Sequence, residues 1–215
     1  MKTSARTITI GAMTVASLAL TACDGLGGGT ADPKFEITQN PDACFRAVTE
    51  HLGADTKVLS VSSLFSAGSE LSYSDDPKGQ MTNCTVDYQD PDNADALLRV
   101  GLKIASGEFT SPKTVDLTVI GIDPDFNLDE HLIALGDIDS SGLAAIIKEQ
   151  EPILSKTYET YGWSAVSLEA PDNNHDAYRI DLRVRGLKTD DPAPKSGAVS
   201  VSVDGKTVST DHLIP

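Results

Sequence analysis

Apolar and polar side chains alternate in several separate stretches of this 215-residue chain. The alternation is clearest between Cys84 and Gln89, and it returns between Leu98 and Ile104. A period of two is typical of antiparallel strands that bury one face and expose the other. The same pattern predicts further strands at 115–119, 163–168, 178–184, 199–203 and 206–208. Most of the core is therefore expected to rest on an antiparallel sheet.

Two other stretches have helical periodicity. Asn40-Pro41-Asp42 offers a capping side chain, a proline for the first turn and a carboxylate near the positive end of a helix dipole. Gly53 then ends the first helix, and a second helix is predicted over 141–161, kinked or divided at Pro152. The buried stripes are Cys44, Val48 and Leu52 in the first, and Leu143, Ile147, Leu154 and Tyr158 in the second. An α+β fold with helix packed on antiparallel sheet follows.

The order of helix and then strands occurs twice along the chain. A shift of 80 residues aligns Val86, Arg99 and Leu102 with Val166, Arg179 and Leu182. We interpret the pattern as two tandem diverged copies, unit A over 40–122 and unit B over 123–215. Convergence is the alternative, because the shared Pro-Asp-Asn is common turn chemistry and any strand alternates.

The N-terminus predicts export. Lys2 and Arg6 precede a modestly apolar stretch at 8–20, which is too short and too polar for a stable membrane-spanning helix. We therefore assign 1–22 to a signal peptide. An ordinary signal-peptidase site prefers small side chains at the third-last and last positions before the cut, and Leu20 is a poor residue for the third-last position.

The tetrapeptide Leu20-Thr21-Ala22-Cys23 resembles the lipobox of bacterial lipoproteins. The resemblance implies that Cys23 receives a thioether-linked lipid and becomes the new N-terminus. Two or three acyl chains would then hold the protein on the extracytoplasmic face of a bacterial cell membrane. A plain signal peptide followed by an unrelated cysteine is the alternative. Whether the envelope is Gram-positive or Gram-negative stays open.

Residues 23–39 are rich in glycine at their start and are predicted to be a flexible tether. About ten such residues span an r.m.s. distance of ~18 Å, so the folded body would sit close to the lipid. Removal of 1–22 takes away Lys2 and Arg6 and leaves a formal charge of −17. Anionic lipid repels so acidic a body, so the acyl chains must supply its attachment to the membrane. Nucleic acid repels it as well and is therefore excluded as a partner.

Lipidation of Cys23 leaves Cys44 and Cys84, and an exported chain meets an oxidising environment. We therefore predict a disulfide between them, which would staple the first helix to a strand. Two buried free thiols are the alternative. Redox activity is not expected, because the chain lacks a Cys-x-x-Cys pair.

Arg179, Arg183 and Arg185 occupy alternate positions of one predicted strand, where they would form an anion-binding stripe. Cross-strand ion pairing is the competing interpretation, and the favoured one. No metal site is predicted. The acidic run at 123–129 has Leu128 where a calcium loop needs glycine and Ala134 where it needs glutamate. The histidines His51, His131 and His212 are far apart in sequence, and surface or cap positions are expected for them.

The sequence contains none of the short motifs of serine hydrolases, zinc proteases or phosphate-binding loops, so no catalytic residue and no cofactor are predicted. Residues 40–105 also resemble, weakly, poorly characterised actinobacterial lipoproteins, which implies a location and no chemistry. We expect a non-catalytic envelope module that binds a partner protein, a cell-wall polymer or a small ligand. An envelope hydrolase and a structural or surface-antigen protein are the alternatives.

Overall fold

The computed structural model of the protein describes residues 32–72, 75–116, 127–172 and 175–213. Within these ranges the chain forms two α-helices, α1 (Ala43–Leu52) and α2 (Leu143–Thr157). The strands are β1 (Lys57–Phe65), β2 (Met81–Asp90), β3 (Asn93–Lys103), β4 (Glu108–Phe109), β5 (Lys113–Val115), β6 (Ile133–Ala134), β7 (Thr160–Glu169), β8 (Arg179–Lys188), β9 (Asp191–Ser202) and β10 (Val208–His212). The predicted α+β class is confirmed. Residues 117–119 of one predicted strand lie outside the described ranges.

The described strands join in one antiparallel sheet. Their main order is β10-β9-β8-β7-β1-β2-β3-β4, while β5 adds to β3 and β6 adds to β1. At the centre, β1 pairs with β2 through Val61 and Val86 and with β7 through Ser63 and Val166. The sheet is therefore continuous from one half of the chain to the other.

The central strand β1 is absent from the sequence prediction, for two structural reasons. A register shift between Val58 and Ser60 marks a β-bulge, so the buried residues Val58 and Val61 are three positions apart. Ser63 then occupies a buried position where the pattern requires an apolar side chain. Its hydroxyl donates a hydrogen bond to the carbonyl of Val166 at 2.9 Å, which satisfies the buried polar group.

The main core lies between the two helices and one face of the sheet. Its members are mostly aliphatic, and many are completely shielded from solvent. Helix α1 contributes Cys44, Phe45 and Val48, and α2 contributes Leu143, Ile146, Ile147 and Leu154. The sheet contributes Val61, Val86, Val166, Ile180, Leu182, Val184, Val199 and Val201. The predicted stripes are buried as expected, except that Leu52 at the end of the first is only half-buried.

The other face of the sheet carries polar side chains. Arg99 of β3 donates two hydrogen bonds, of 2.6 and 2.7 Å, to the carboxylate of Asp87 on β2. Farther along the sheet, Ser200 of β9 donates to Asp181 of β8 at 2.7 Å. The alternation in the sequence thus separates an apolar side under the helices from a polar side away from them.

One order of elements occurs twice, but the shift of 80 residues does not superpose the two occurrences. A helix followed by three antiparallel strands occurs as α1-β1-β2-β3 and again as α2-β7-β8-β9. The shift of 80 residues instead equates β2 with β7 and β3 with β8, because any two strands of this kind alternate alike. The first strands, β1 and β7, pair with each other, so units A and B share one sheet and one core.

The predicted tether over 23–39 is too long at its C-terminal end. Phe35 and Ile37 are 3% and 1% exposed and belong to the core. Ile37 donates its backbone N–H to the carbonyl of Gly79 at 2.9 Å, and Glu36 forms a β-bridge with Gln80. This N-terminal segment, residues 33–39, is therefore part of the folded body. The two alternating apolar side chains are the signal that the prediction overlooked.

Two boundaries also differ from the prediction. Helix α2 runs without a break through Pro152, which is exposed, so the carbonyl that loses its partner can be hydrated. The helix ends at Thr157, and the next residue, Tyr158, donates its hydroxyl to the carbonyl of Leu213 at 2.8 Å. Strand β7 begins at Thr160. The turn at Asp204 and Gly205 is confirmed, but the strand after it occupies 208–212 and not 206–208.

Candidate functional site

Two of the three cysteines lie in the described part of the chain. Cys44 of α1 and Cys84 of β2 form the predicted disulfide, with Cα atoms 5.6 Å apart. Both residues are completely buried, so the bridge has a structural role beneath the helix. Cys23 lies outside the described residues, and its lipidation stays a prediction.

The predicted arginine stripe lies on the polar face of β8, and two of its members are already paired. Arg179 contacts Asp172 at 2.9 Å and Asp181 at 3.3 Å. Arg183 contacts Glu169 on the neighbouring strand at 2.8 Å. These contacts favour ion pairing over a stripe that is available to anions, and the Arg183–Glu169 pair is the one that crosses between strands. Arg185, the third member, is half-buried.

The histidines do not converge. His51 at the end of α1 stacks on Phe109 of β4, with ring centroids 4.1 Å apart. The carbonyl of His131 accepts a hydrogen bond from Tyr178, while His212 lies on the edge strand β10. Within the described ranges, no group of three or more histidine, cysteine, aspartate or glutamate side chains is arranged to hold a metal ion.

The acidic run at 123–129 is described only from residue 127 onward. There Asp129 accepts a hydrogen bond from Lys57 at 2.5 Å, and this bond lowers the pKa of the carboxyl group. A lysine partner, rather than a cation site, thus engages this residue. Residues 123–126 lie outside the described part.

A pocket that the sequence did not predict lies beside the N-terminal segment. Its volume is about 300 Å³, and we call it the Trp163 pocket. Four segments form it: the N-terminal segment, the loop before β2, helix α2 and the start of β7. The lining residues are Glu36, Ile37, Thr38, Lys78, Gly79, Glu151, Tyr161, Gly162 and Trp163.

Burial divides the pocket into an apolar floor and a charged rim. Ile37 and Trp163 are buried at the floor, and Tyr161 is a half-buried side wall. The side chains of Lys78 and Glu151 are exposed at the rim. A mostly apolar concavity with a few charged groups is the usual form of a small-molecule site, and 300 Å³ is near the lower end of the range, roughly 300–1,000 Å³.

The side wall and rim are held by interactions on the protein itself. The Nζ atom of Lys78 lies 5.4 Å from the centroid of the Tyr161 ring, a distance at which a cation is attracted to an aromatic face. The hydroxyl of Tyr161 lies 3.3 Å from that of Ser155 on α2, close enough for a hydrogen bond. Glu36 accepts hydrogen bonds from Thr38 at 2.7 Å and from a backbone N–H at 3.1 Å, both on its Oε2 atom.

Glycines allow the walls to approach each other. Gly79 has a positive φ of 83°, and a Cβ atom there would lie 2.5 Å from the Oε1 atom of Glu36. At Gly162 a Cβ atom would lie 2.5 Å from the backbone oxygen of Ala67. Real Cβ atoms do not make contacts this short. A side chain at Gly79 would therefore displace Glu36 of the pocket, and one at Gly162 would push β7 away from Ala67, which lies outside the pocket.

The floor contains a polar group without a partner. Trp163 is 3% exposed, and its indole N–H meets no acceptor among the described residues. A buried N–H without an acceptor costs about 1–3 kcal/mol, and a buried tryptophan usually finds one. An acceptor supplied by a ligand or by water after a small local adjustment would remove this cost.

None of these pocket residues follows from a local motif. Glu36, Lys78, Glu151 and Trp163 lie far apart in the sequence and meet only through the fold. The one available signal is that Trp163 is the sole tryptophan of the chain and follows a glycine. Larger depressions lined by residues such as Glu50, Glu70 and His51 lie elsewhere on the described surface, and three of them also contain a buried aromatic residue, Phe45, Tyr88 or Phe35. None of their described lining residues has a buried side-chain N or O atom without a hydrogen-bond partner, as Trp163 has.

Comparison with known proteins gives little further information. The sequence matches no known protein family, and no curated protein matches it. A crystal structure described as a "putative lipoprotein" from Clostridium difficile 630 is 17% identical in sequence, with a TM-score of 0.45. The match covers 83% of this chain and 93% of that chain. Among the described helices, neither is long and apolar enough to span a bilayer.

Proposed function

We propose that this chain is a lipid-anchored protein of the bacterial cell envelope that binds a small ligand in the Trp163 pocket and catalyses no reaction. Support for the location comes from the export signal and the lipobox ending at Cys23. Support for binding comes chiefly from one observation, the buried aromatic floor beneath a charged rim. Such a floor offers apolar contact area, and the rim fixes the orientation of a bound molecule.

The position of the pocket suits a ligand that is met at the membrane surface. The N-terminal segment provides one wall through Glu36, Ile37 and Thr38. The predicted tether joins this same segment at Asp32. With an r.m.s. reach of ~18 Å, the tether would keep the pocket near the bilayer.

Binding is favoured over catalysis by the composition of the lining. The nine described lining residues include two carboxylates, one lysine and one tyrosine, but no histidine, cysteine or serine. A carboxylate that acts as a base needs a reacting group within hydrogen-bond reach. The hydroxyl of Thr38 donates to Glu36, but it lies on the exposed rim, away from the apolar floor.

Small-molecule mass spectrometry of the purified full chain tests the binding function. The protein is extracted with detergent from membranes of the bacterium that produces it, and its bound metabolites are released by denaturation. We expect a metabolite in stoichiometric amount with the unmodified chain. A Thr38→Phe variant, which fills the pocket from its exposed rim, should lose that metabolite.

The matched control is Thr207→Phe, which adds the same ring at an exposed position before β10. Equal melting temperatures of the two variants show that the fold is unchanged. The binding function is refuted if Thr38→Phe retains the same metabolites as Thr207→Phe, or if no metabolite accompanies the unmodified chain.

Lipid anchoring is tested independently of the pocket. Radiolabelled palmitate should enter the unmodified chain and be absent from a Cys23→Ser variant, which should leave the membrane fraction. A variant that matures fully and remains membrane-bound without label contradicts the proposed anchor.

A further inference from the structure

Three charged groups line the Trp163 pocket without pairing to one another. Within the described part of the chain, Lys78 forms no ion pair with Glu36 or Glu151: its Nζ atom is more than 4.0 Å from their carboxylate oxygens. This is notable in a chain with 17 basic and 32 acidic residues, where an available lysine has many potential partners. The pocket therefore presents both charges separately to whatever occupies it.

The acceptors at the pocket have unused capacity. Both hydrogen bonds to Glu36 fall on its Oε2 atom, and Oε1 accepts none from the described residues. Glu151 is exposed on α2 and makes no ion pair within the described ranges. Two carboxylates with free oxygens can accept hydrogen bonds from a ligand. An ammonium group is the strongest donor to them, because its hydrogen bonds are charge-assisted.

Lys78, the one cation among the described lining residues, would be matched by an anionic group of the ligand. Lys78 has three N–H donors and no acceptor, and its Nζ atom is held over the Tyr161 ring rather than against a carboxylate. A ligand carboxylate could bind this ammonium group while the aromatic contact remains. One molecule that carries both an ammonium and a carboxylate group would therefore complement the rim.

The floor and the volume restrict the rest of the molecule. Ile37 and Trp163 offer apolar surface, so the remaining part of the ligand should be apolar. A cavity of about 300 Å³ suits a single amino acid better than a long peptide or polymer.

From these observations we infer that the Trp163 pocket binds a free α-amino acid with an apolar side chain. The ammonium group lies toward Glu36 and Glu151, and the carboxylate toward Lys78. This inference rests on the proposed binding function and names the ligand class for the same site.

The test is isothermal titration calorimetry of the full chain, in detergent, with L-leucine and two analogues. 4-Methylpentanoate lacks the ammonium group, and L-leucinamide lacks the carboxylate. L-Leucine should bind, and each analogue should bind about tenfold more weakly because one charge-assisted hydrogen bond is lost.

Variants assign each charge to its partner. Glu151→Gln should weaken leucine binding about tenfold and leave 4-methylpentanoate binding unchanged, since that analogue lacks the partner group. Lys78→Met should weaken leucine binding and leave leucinamide binding unchanged. The matched controls Glu149→Gln and Lys148→Met alter exposed residues of α2 outside the pocket and should bind leucine normally.

Failure of this inference is distinguishable from failure of the binding function. Equal affinity of the protein for leucine and for both analogues overturns the amino-acid assignment alone. The same holds if leucine does not bind while the unmodified chain co-purifies with an uncharged metabolite that Thr38→Phe lacks. Loss of 4-methylpentanoate binding in Glu151→Gln, equal to the loss for leucine, also overturns it, because the glutamate would then act only on structure.

Discussion

The disulfide between Cys44 and Cys84 is expected to supply a large part of the stability of the fold. The bridge closes a loop with a sequence separation of 40 residues. In the chain-entropy treatment, closing such a loop restricts the unfolded chain by about 4 kcal/mol. Domains are typically stable by only ~5–15 kcal/mol, so reduction should remove a substantial fraction.

Reduction is a cleaner perturbation than substitution here. Both cysteines are completely buried, so an alanine would add a cavity to the loss of the cross-link. Urea unfolding of the oxidised chain, and of the chain refolded with reductant, compares the same side chains with and without the bond. The expected loss of about 4 kcal/mol corresponds to a decrease in Tm of ~8–16 °C for a chain of this size.

A Cys44→Ala/Cys84→Ala variant serves as the control, since reductant should not change its unfolding curve. If the oxidised and reduced forms of the unmodified chain differ by less than about 1 kcal/mol, the loop-closure reasoning is refuted. If reductant also destabilises the double variant, the effect does not come from this bond.

Three further outcomes are expected. Gly162→Ala should destabilise the fold by more than about 2 kcal/mol in urea unfolding, because its Cβ would lie 2.5 Å from a backbone oxygen. Gly101→Ala is the control: its Cβ would lie 3.5 Å from the nearest atom, and it should change stability by less than about 1 kcal/mol. Arg99→Met should lower the free energy of unfolding by about 1–3 kcal/mol in the same assay, since Asp87 is 7% exposed and would lose its main partner. A decrease of less than about 0.5 kcal/mol would contradict this reasoning. Burial raises the pKa of Tyr178 to about 12, so stability contributed by its neutral phenol is complete below pH 10 and is lost as the pH rises through 12. Burial also raises the pKa of Tyr88 and of Tyr158, so ultraviolet titration should show several tyrosines that ionise late. The Tyr178→Phe variant should lack the component that ionises near pH 12, and an unchanged titration curve would contradict the burial of Tyr178.

Period-two alternation predicted those strands that bury one face and are regular. The strand β2 is of this kind, because the apolar side faces the helices and polar partners such as Arg99 lie on the other side. It failed for β1, where a bulge and a buried serine interrupt the period. It also missed the first half of β9, which begins at Asp191 and contains proline. Among the described strands that half pairs with β8 only, so proline is tolerated on its other edge.

The disulfide was predictable because two cysteines in a chain with a predicted export signal have few alternatives. The Trp163 pocket was not, because its charged residues Glu36, Lys78 and Glu151 come from three distant segments and obey no spacing rule. Glu36 was in addition assigned to the tether, since the glycine-rich composition before it concealed the buried Phe35 and Ile37. Sites that the fold assembles from distant segments leave no periodic signal in the sequence.

The emission of Trp163 provides the most direct measurement of ligand binding. It is the only tryptophan in the chain, and it lies at the floor of the proposed site. Titration of the full chain with L-leucine, and then with a small-molecule extract of the producing cells, should give a saturable change in this emission in the unmodified protein and in Thr207→Phe, but none in Thr38→Phe. An emission spectrum that responds to neither titrant, or that responds equally in Thr38→Phe, would contradict a ligand site in this pocket.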